Sequence, residues 1–193
     1  MYTIPIAVEV DGVEYKIRNN GDFRVILDCF QALGDVELTA KERLLAALII
    51  FYEDFSSIED FTSDIDIEKL VEEMYNFFNC GSKDSNSNSN KKLIDWEKDS
   101  QLICSAVNAV AGKEIRLEPY IHWWTFMGYF TAIGESPITT IIQIRDKIVS
   151  GKSLEKHERT YRNNNPQYFI WNNKTIEEQE ADKLVRDLWN SGG

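Results

Sequence analysis

The stretch Pro119-Tyr-Ile-His-Trp-Trp-Thr-Phe-Met-Gly-Tyr-Phe130 is the part of the chain on which the fold prediction rests. Six of its twelve residues are aromatic, and it contains one of the two histidines of the chain. Glu118-Pro119 is typical of a first helical turn, because proline is favoured at the first helical position. The stretch therefore predicts an aromatic helix over 119–133 that ends at Gly134.

This aromatic helix has two possible roles. At about 100° per residue its large side chains share one broad arc, and small residues lie on the opposite side. Burying several large aromatic side chains contributes roughly 10 kcal/mol before entropy is subtracted, so we expect a core helix. The alternative is an anchor for a partner, with one tryptophan edge at the surface, because tryptophan is enriched in interface hot spots. The arc consists of Tyr120, Trp123, Trp124, Phe126, Met127 and Phe130.

The N-terminus has the pattern of a β-hairpin. Apolar and polar residues alternate over 4–10, Asp11-Gly12 is a favoured two-residue turn, and 13–17 form the returning strand. Helical spacing follows along the rest of the chain, with a capping box at Thr39-Ala-Lys-Glu42, a cap at Ser63-Asp-Ile-Asp66 and a helix start at Ser136-Pro137. We predict a mainly α (α+β) fold, a helical bundle of about seven to eight helices with one N-terminal β-hairpin. Besides 119–133, the predicted helices cover 22–33, 44–52, 67–78, 95–111, 136–149, 154–161 and 175–189.

A polar segment suggests how the chain is divided. Residues 81–90 contain no apolar side chain and include a run of alternating Ser and Asn. Such a composition cannot offset the entropy cost of ordering, which favours a flexible linker over 81–92. We expect an acidic domain of hairpin and helices over 1–80, and a helical domain over 93–193 that contains the aromatic helix. The alternative is a surface loop inside one domain.

The charge is uneven along the chain, with a formal net value of −11. Residues 1–80 contain 17 acidic and 6 basic side chains, whereas residues 81–193 contain 15 of each. This balance argues against nucleic acid as the main ligand, because phosphate binding requires a positive field. The acidic half is either a solvated surface that keeps the protein soluble or a surface that attracts a basic partner.

The lack of catalytic motifs in the sequence favours a protein that is not an enzyme. The chain contains no P-loop, no GxGxxG, no nucleophile elbow and no HExxH. Neither histidine has a cysteine at zinc-ligand spacing, and Asp64 and Asp66 lack the glycine of a calcium loop. We therefore expect no cofactor and no metal. A small hydrolase built on His122 with Cys104 or Ser105 is the alternative.

The cysteine pattern and the hydropathy suggest a compartment. Cys29, Cys80 and Cys104 are odd in number and far apart, which fits a reduced cytosolic interior. The start of the chain lacks the pattern of a signal peptide, and no stretch is long and apolar enough for a membrane span. We expect no membrane partner.

A locally basic region follows the aromatic stretch. Six basic side chains between residues 145 and 162 face three acidic ones. They form either a solvated helical face or a docking strip for an acidic surface, such as the acidic half of a neighbouring copy in a homo-oligomer. The basic residues are Arg145, Lys147, Lys152, Lys156, Arg159 and Arg162.

Several motifs carry a resemblance to a known family. Asp22-Phe-Arg24 follows the hairpin, and an apolar helix ends in Ile50-Phe-Tyr52. Further along the chain come Asp95-Trp-Glu-Lys-Asp99, the Pro119–Gly128 stretch, Ile144-Arg-Asp-Lys147 and Gly151-Lys-Ser-Leu154. This order, over residues 1–165, resembles siphophage and prophage proteins of Gram-positive bacteria that are encoded just upstream of the tape-measure gene. Those proteins are described as tail assembly chaperones.

The resemblance implies a non-catalytic protein of the host bacterial cytoplasm. Its partners would be the tape-measure protein, which it would coat, and the tail-tube protein, which it would help to recruit before leaving the finished virion. The alternative is a structural tail or head–tail connector component retained in the virion. The candidate partner-binding residues combine the aromatic anchor with the start of the basic region: Tyr120, His122, Trp123, Trp124, Arg145 and Lys147.

Overall fold

A computed structural model of the chain describes residues 3–62, 65–82 and 93–170. These residues contain seven α-helices and one two-stranded antiparallel sheet. The predicted fold class, mainly α with an N-terminal β-hairpin, is confirmed. The helix predicted over 175–189 lies outside the described residues.

The described residues form two compact units. Unit 1 comprises 3–62, 65–82 and 120–125, and unit 2 comprises 93–119 and 126–170. Unit 1 therefore includes a short segment from late in the chain. The division into 1–80 and 93–193 stays a prediction, as does the flexible linker over 81–92, most of which lies outside the described residues.

The hairpin forms where the alternation predicted it. Strand β1 (Ala7–Val10) pairs with β2 (Val13–Lys16), and Val10 lies opposite Val13 in the register. Asp11 and Gly12 in the turn have φ values of 53° and 81°, as a two-residue turn of this twist requires.

The helices follow in chain order. Unit 1 contains α1 (Phe23–Gly34), α2 (Ala40–Phe51) and α3 (Ile67–Phe78). The first three residues of α5 (Trp123–Thr131) belong to unit 1 and the others to unit 2. Unit 2 also contains α4 (Ser100–Ala111), α6 (Pro137–Val149) and α7 (Lys156–Asn164).

The predicted helix starts with strong caps are confirmed. Thr39 and Glu42 form a capping box at α2, and the Ser136 hydroxyl accepts a hydrogen bond from the Thr139 N–H at the start of α6. The carboxylates of Asp22 and Asp66 cap α1 and α3. In each case one side chain binds a backbone N–H that the first helical turn leaves without a partner.

The aromatic helix α5 begins at Trp123, so the prediction of a helix from Pro119 is wrong. The main chain of Ile121 instead binds a segment 99 residues earlier. Its N–H donates to the Asp22 carboxylate at 2.9 Å, and its carbonyl accepts from the Phe23 N–H at 2.9 Å. These tertiary hydrogen bonds override the local signal of Pro119.

Helix α2 begins at Ala40, four residues before the predicted 44, because Thr39 is its N-cap. Two further helices differ from their predicted bounds. Helix α4 begins at Ser100 instead of Asp95, because residues 95–99 form a turn in which the Asp99 carboxylate accepts from the Asp95 N–H. Helix α7 covers 156–164, two residues later at its start than the predicted 154–161.

Each unit has its own apolar core. In unit 1 α1 packs against α2, and the Phe51 ring lies 5.3 Å from the Phe77 ring and 5.5 Å from the Phe78 ring. In unit 2 α4 packs against α6, whose buried residues Ile138, Ile141 and Ile144 follow helical spacing. Burial of these side chains provides the main driving force for folding.

Arg18 holds the end of α2. Its guanidinium donates to the carbonyls of Ile49, Ile50, Tyr52 and Phe55 at 2.8–3.0 Å. The last carbonyls of a helix have no partner within the helix and carry partial negative charge, so a cation there satisfies and stabilises them.

A left-handed turn leads into α1. Asn19, Asn20 and Gly21 have φ values of 49°, 52° and 76°. Gly21 is buried, and a Cβ atom added to it would lie 2.6 Å from the Phe77 ring and 3.1 Å from His122 Nε2. The position thus requires glycine for both its backbone conformation and its lack of a side chain.

We predict that Gly21→Ala destabilises the protein by about 2–4 kcal/mol, because the positive φ and the steric clash both oppose the added methyl group. Gly12→Ala is the matched control, since Gly12 has a φ of 81° but no atom within 4 Å of an added Cβ. The control should lose only about 1–2 kcal/mol. Urea unfolding measures both, and equal losses would show that the close contact with Phe77 is unimportant.

Candidate functional site

The aromatic segment, defined as Tyr120–Thr125, is attached to unit 1 through its main chain. Asp22 is central to this attachment, since its carboxylate accepts from the N–H of Ile121 and also from the N–H of Arg24 in α1. Asp22 is itself buried and forms an ion pair with Arg24 at 3.0 Å. One carboxylate therefore joins the start of α1 to the segment.

The two tryptophans of the segment bind the end of α3. The indole N–H of Trp123 donates to the Phe78 carbonyl, and that of Trp124 to the Phe77 carbonyl, each at 2.9 Å. These carbonyls belong to the last turn of the helix and have no partner inside it. The Trp123 ring is buried and lies edge-on to Phe30, whereas Trp124 is half-buried.

His122 is held in one neutral form by its two ring nitrogens. The Pro5 carbonyl lies 2.9 Å from Nε2 and can only accept, so Nε2 carries the hydrogen. Nδ1 accepts from the Trp124 N–H at 3.1 Å. Burial lowers the pKa of His122 from 6.5, and outweighs the opposing effects of the Pro5 carbonyl and the Asp22 carboxylate. His122 therefore positions the first turn of α5 and the start of the hairpin.

Tyr120 is the most exposed aromatic residue of the segment, at 41%. Its hydroxyl donates to the Asn20 carbonyl at 2.9 Å, so the ring is fixed at the surface of unit 1. A fixed aromatic ring loses little entropy when a partner covers it.

In unit 2 the buried pair of Asp99 and Arg145 organises the ends of several segments. Their side chains are 0% and 3% exposed, and Arg145 Nη2 lies 3.0 Å from Asp99 Oδ1. The same guanidinium donates to the carbonyls of Leu93 and Tyr168. A buried ion pair is stable only when its remaining polar atoms also have partners, as here.

Lys147 is half-buried and pairs with Glu158 of α7 at 2.6 Å. The hydrogen bond between them raises the pKa of Lys147 and lowers that of Glu158. Glu158 also accepts from the Glu155 N–H at the start of α7. The pair therefore connects α6 to α7.

The structure narrows the list of candidate partner-binding residues. Tyr120 and part of Trp124 lie at the surface of unit 1, and Lys147 lies partly at the surface of unit 2. His122, Trp123 and Arg145 are buried, with their polar atoms bound to the fold. Partner binding by these six residues stays a prediction. Of the six, Tyr120, Trp124 and Lys147 are exposed enough to contact a partner directly.

Sequence reasoning missed the acidic partners of these residues. Asp22 and Asp99 were visible only as members of short motifs, and nothing in their spacing connects them to Ile121 or Arg145. Arg18 was missed as well, because its partners are carbonyl groups, which no side-chain pattern reveals. These residues determine where the candidate residues lie.

The cysteine thiols and the side chains that could bind a metal ion can be assessed from their surroundings. Burial raises the pKa of Cys29, Cys80 and Cys104 above the ordinary value of a thiol. Over 3–62, 65–82 and 93–170, no group of three or more His, Cys, Asp or Glu side chains is placed to hold a metal ion. In the same ranges no helix has the length and apolar character to span a membrane.

The profile of a family described as "Bacteriophage Gp15 protein" matches residues 2–169. The chain belongs to this bacteriophage family. No curated protein and no solved structure matches the chain. The match confirms the bacteriophage part of the resemblance seen in the motifs.

Several of the motifs pair with one another in the fold. Asp22 of Asp22-Phe-Arg24 binds Ile121 of the aromatic segment, within unit 1. Asp99 of the Asp95–Asp99 motif binds Arg145 of Ile144-Arg-Asp-Lys147, within unit 2. Four of the motifs that carry the resemblance therefore supply residues that hold the structure together.

We predict that the stability of the protein falls as the pH is lowered below about 6.5, and that His122→Gln reduces this dependence. The folded-state pKa of His122 is below 6.5, so on acidification the unfolded chain takes up the proton first. The contribution is complete above pH 6.5 and is lost as the pH falls below it. Thermal melting at several pH values measures the slope.

His157→Gln is the control for that experiment, because the His157 side chain is 76% exposed. Its substitution should leave the slope unchanged. If His122→Gln and His157→Gln alter the slope equally, the buried environment of His122 is not its cause.

We predict that Arg145→Met costs about 3–5 kcal/mol of stability, because it leaves the Asp99 carboxylate buried without its cation. Lys69→Met removes exposed pairs with Asp11 and Asp66 and should cost at most about 1 kcal/mol. Denaturant unfolding compares the two variants. A double variant, Arg145→Met with Asp99→Leu, should recover part of the loss, and no recovery would contradict the ion-pair explanation.

Proposed function

We propose that this protein is a tail assembly chaperone that binds the tape-measure protein, the tail-tube protein or both, without catalysis. Its membership of a bacteriophage family and the motif order described above support this proposal. The host bacterial cytoplasm, where tails assemble, is the proposed place of action.

The observation that carries the proposal is a set of exposed apolar side chains at the N-terminal hairpin. We define Ile4, Ile6 and Val13 as the hairpin rim; they are 44%, 52% and 51% exposed. The register places Ile6 beside Ile17 and Val13 beside Val10, at opposite ends of the hairpin, so a partner that contacts both must lie along the hairpin. An amphipathic helix, such as a tape-measure protein would present, could cover them with its apolar face.

The fold holds this rim in place. Ile4 and Ile6 flank Pro5, whose carbonyl accepts from His122, and the Ile6 carbonyl accepts from the Ile17 N–H. Ile17 is fully buried. The rim is thus anchored at Pro5 and at Ile6, which lowers the entropy cost of binding a partner.

Non-catalytic action is supported by how the polar side chains are used. Both ring nitrogens of His122 bind main-chain groups, and the Arg145 guanidinium binds Asp99 and two carbonyls. Groups that could transfer protons or bind anions thereby serve the fold.

We predict that co-expression with the tape-measure protein of the same phage keeps that partner soluble, and that Ile6→Ser with Val13→Ser reduces the soluble amount. The rim side chains are half-exposed, so the variant should melt at nearly the same temperature. Val36→Ser is the control, since Val36 is 61% exposed but lies between α1 and α2. Pull-down and melting curves measure both effects.

The outcomes separate the parts of the proposal. If the wild-type chain forms no complex and leaves the partner insoluble, the chaperone function is wrong. If the complex forms but the rim variant binds normally, the rim is not its site. Mass spectrometry of purified virions distinguishes the structural alternative, because a chaperone should be missing from the particle.

A further inference from the structure

The outward face of α7 is basic. Lys156, Arg159 and Arg162 follow one another at three-residue spacing and are exposed, whereas Glu158 and Tyr161 face the interior. Three-residue steps keep these cations within one side of the helix. We call Lys156, Arg159 and Arg162 the α7 basic face.

The nearby acidic groups do not neutralise this face. Glu158 is engaged by Lys147, and Glu155 lies 3.5 Å from the ring of His157. Arg159 Nε donates to the Leu154 carbonyl, which leaves its charge unbalanced. Among the described residues, no carboxylate forms an ion pair with the α7 basic face.

A shorter acidic face lies on α3. Glu68 and Glu72 are exposed at a spacing of four residues, where like charges repel. The neighbouring cation Lys69 is taken by Asp11 and Asp66, at 2.7 and 3.3 Å. Within the described ranges no basic side chain pairs with Glu68 or Glu72, which we call the α3 acidic face.

We propose that the α7 basic face of one copy docks on the α3 acidic face of a second copy. The basic face extends about 9 Å along its helix and the acidic pair about 6 Å, so two helices lying side by side can bring the charges together. Unit 1 as a whole supports the choice of partner, since the first 80 residues contain 17 acidic and 6 basic side chains. A nucleic acid would meet this negative charge and be repelled.

This contact joins different surfaces of the two copies. A head-to-tail contact of this kind leaves one free α7 and one free α3 at the ends, so it propagates into rings or open chains. It is independent of the hairpin rim, and it goes beyond the proposed function.

The contact should be weak and dependent on salt. Both faces consist of charged side chains, and exposed ion pairs contribute little each and are screened beyond about 8 Å at physiological ionic strength. We expect reversible association of the full chain that increases with protein concentration and disappears in high salt.

Analytical ultracentrifugation of the purified full chain at low and high salt tests the proposal. Lys156→Glu with Arg162→Glu should weaken self-association by about tenfold, and Glu68→Lys with Glu72→Lys should do the same. A chain with all four substitutions should associate again, because the charges are exchanged and remain complementary. Arg159 is left in place because it also binds Leu154.

Lys41→Glu with Lys98→Glu is the matched control, since it changes the net charge by the same amount at exposed positions elsewhere. Circular dichroism checks that every variant is folded. If the control weakens association as much as the α7 variant, only net charge matters and the proposal is wrong. The proposal is also wrong if the wild-type chain stays monomeric at low salt, or if the variant with all four substitutions fails to associate.

Discussion

The attachment of Ile121 to Asp22 and Phe23 is the constraint on which unit 1 depends. Two main-chain hydrogen bonds close a loop of about one hundred residues, which has a substantial entropy cost. The aromatic segment offsets this cost, because the same attachment brings both indole N–H groups to the end of α3 and His122 to Pro5. The Asp22 carboxylate thus gains the Ile121 donor only when the segment is in place, and the segment is held through that carboxylate.

The parts of the fold that could be predicted are those with local causes. A two-residue turn, the capping box of Thr39 and the Ser136-Pro137 start each act within a few residues, so their signals are readable in the chain. Pro119 gave an equally clear local signal, yet the helix starts at Trp123. There the competing interaction comes from Asp22, and no window of sequence around Pro119 contains it.

The residue types of the candidate site could be predicted from the sequence, but the carbonyl and carboxylate groups that these residues bind could not. Helical spacing indicated that the aromatic stretch is mostly core, and the burial of Trp123 and Phe126 agrees with that. Periodicity describes which face of an element is apolar, but it does not say which distant carbonyl or carboxylate the face will meet. Arg145 is an example. Its basic neighbours in the sequence indicate a surface position, but its ion pair with the buried Asp99, forty-six residues earlier, places it in the interior.

The pairing of motifs indicates that partner recognition lies at other positions of the chain. Removing one member of a buried hydrogen-bonded or ionic pair leaves the other without a partner, so such positions tolerate little change whatever the protein binds. The resemblance carried by Asp22, the aromatic segment, Asp99 and Arg145 therefore identifies the fold, and it would persist among proteins with different partners. Exposed side chains, such as those of the hairpin rim and the α7 basic face, can change without this cost. Specificity for the partners proposed above is then expected at these exposed positions, outside the motifs by which the family is recognised.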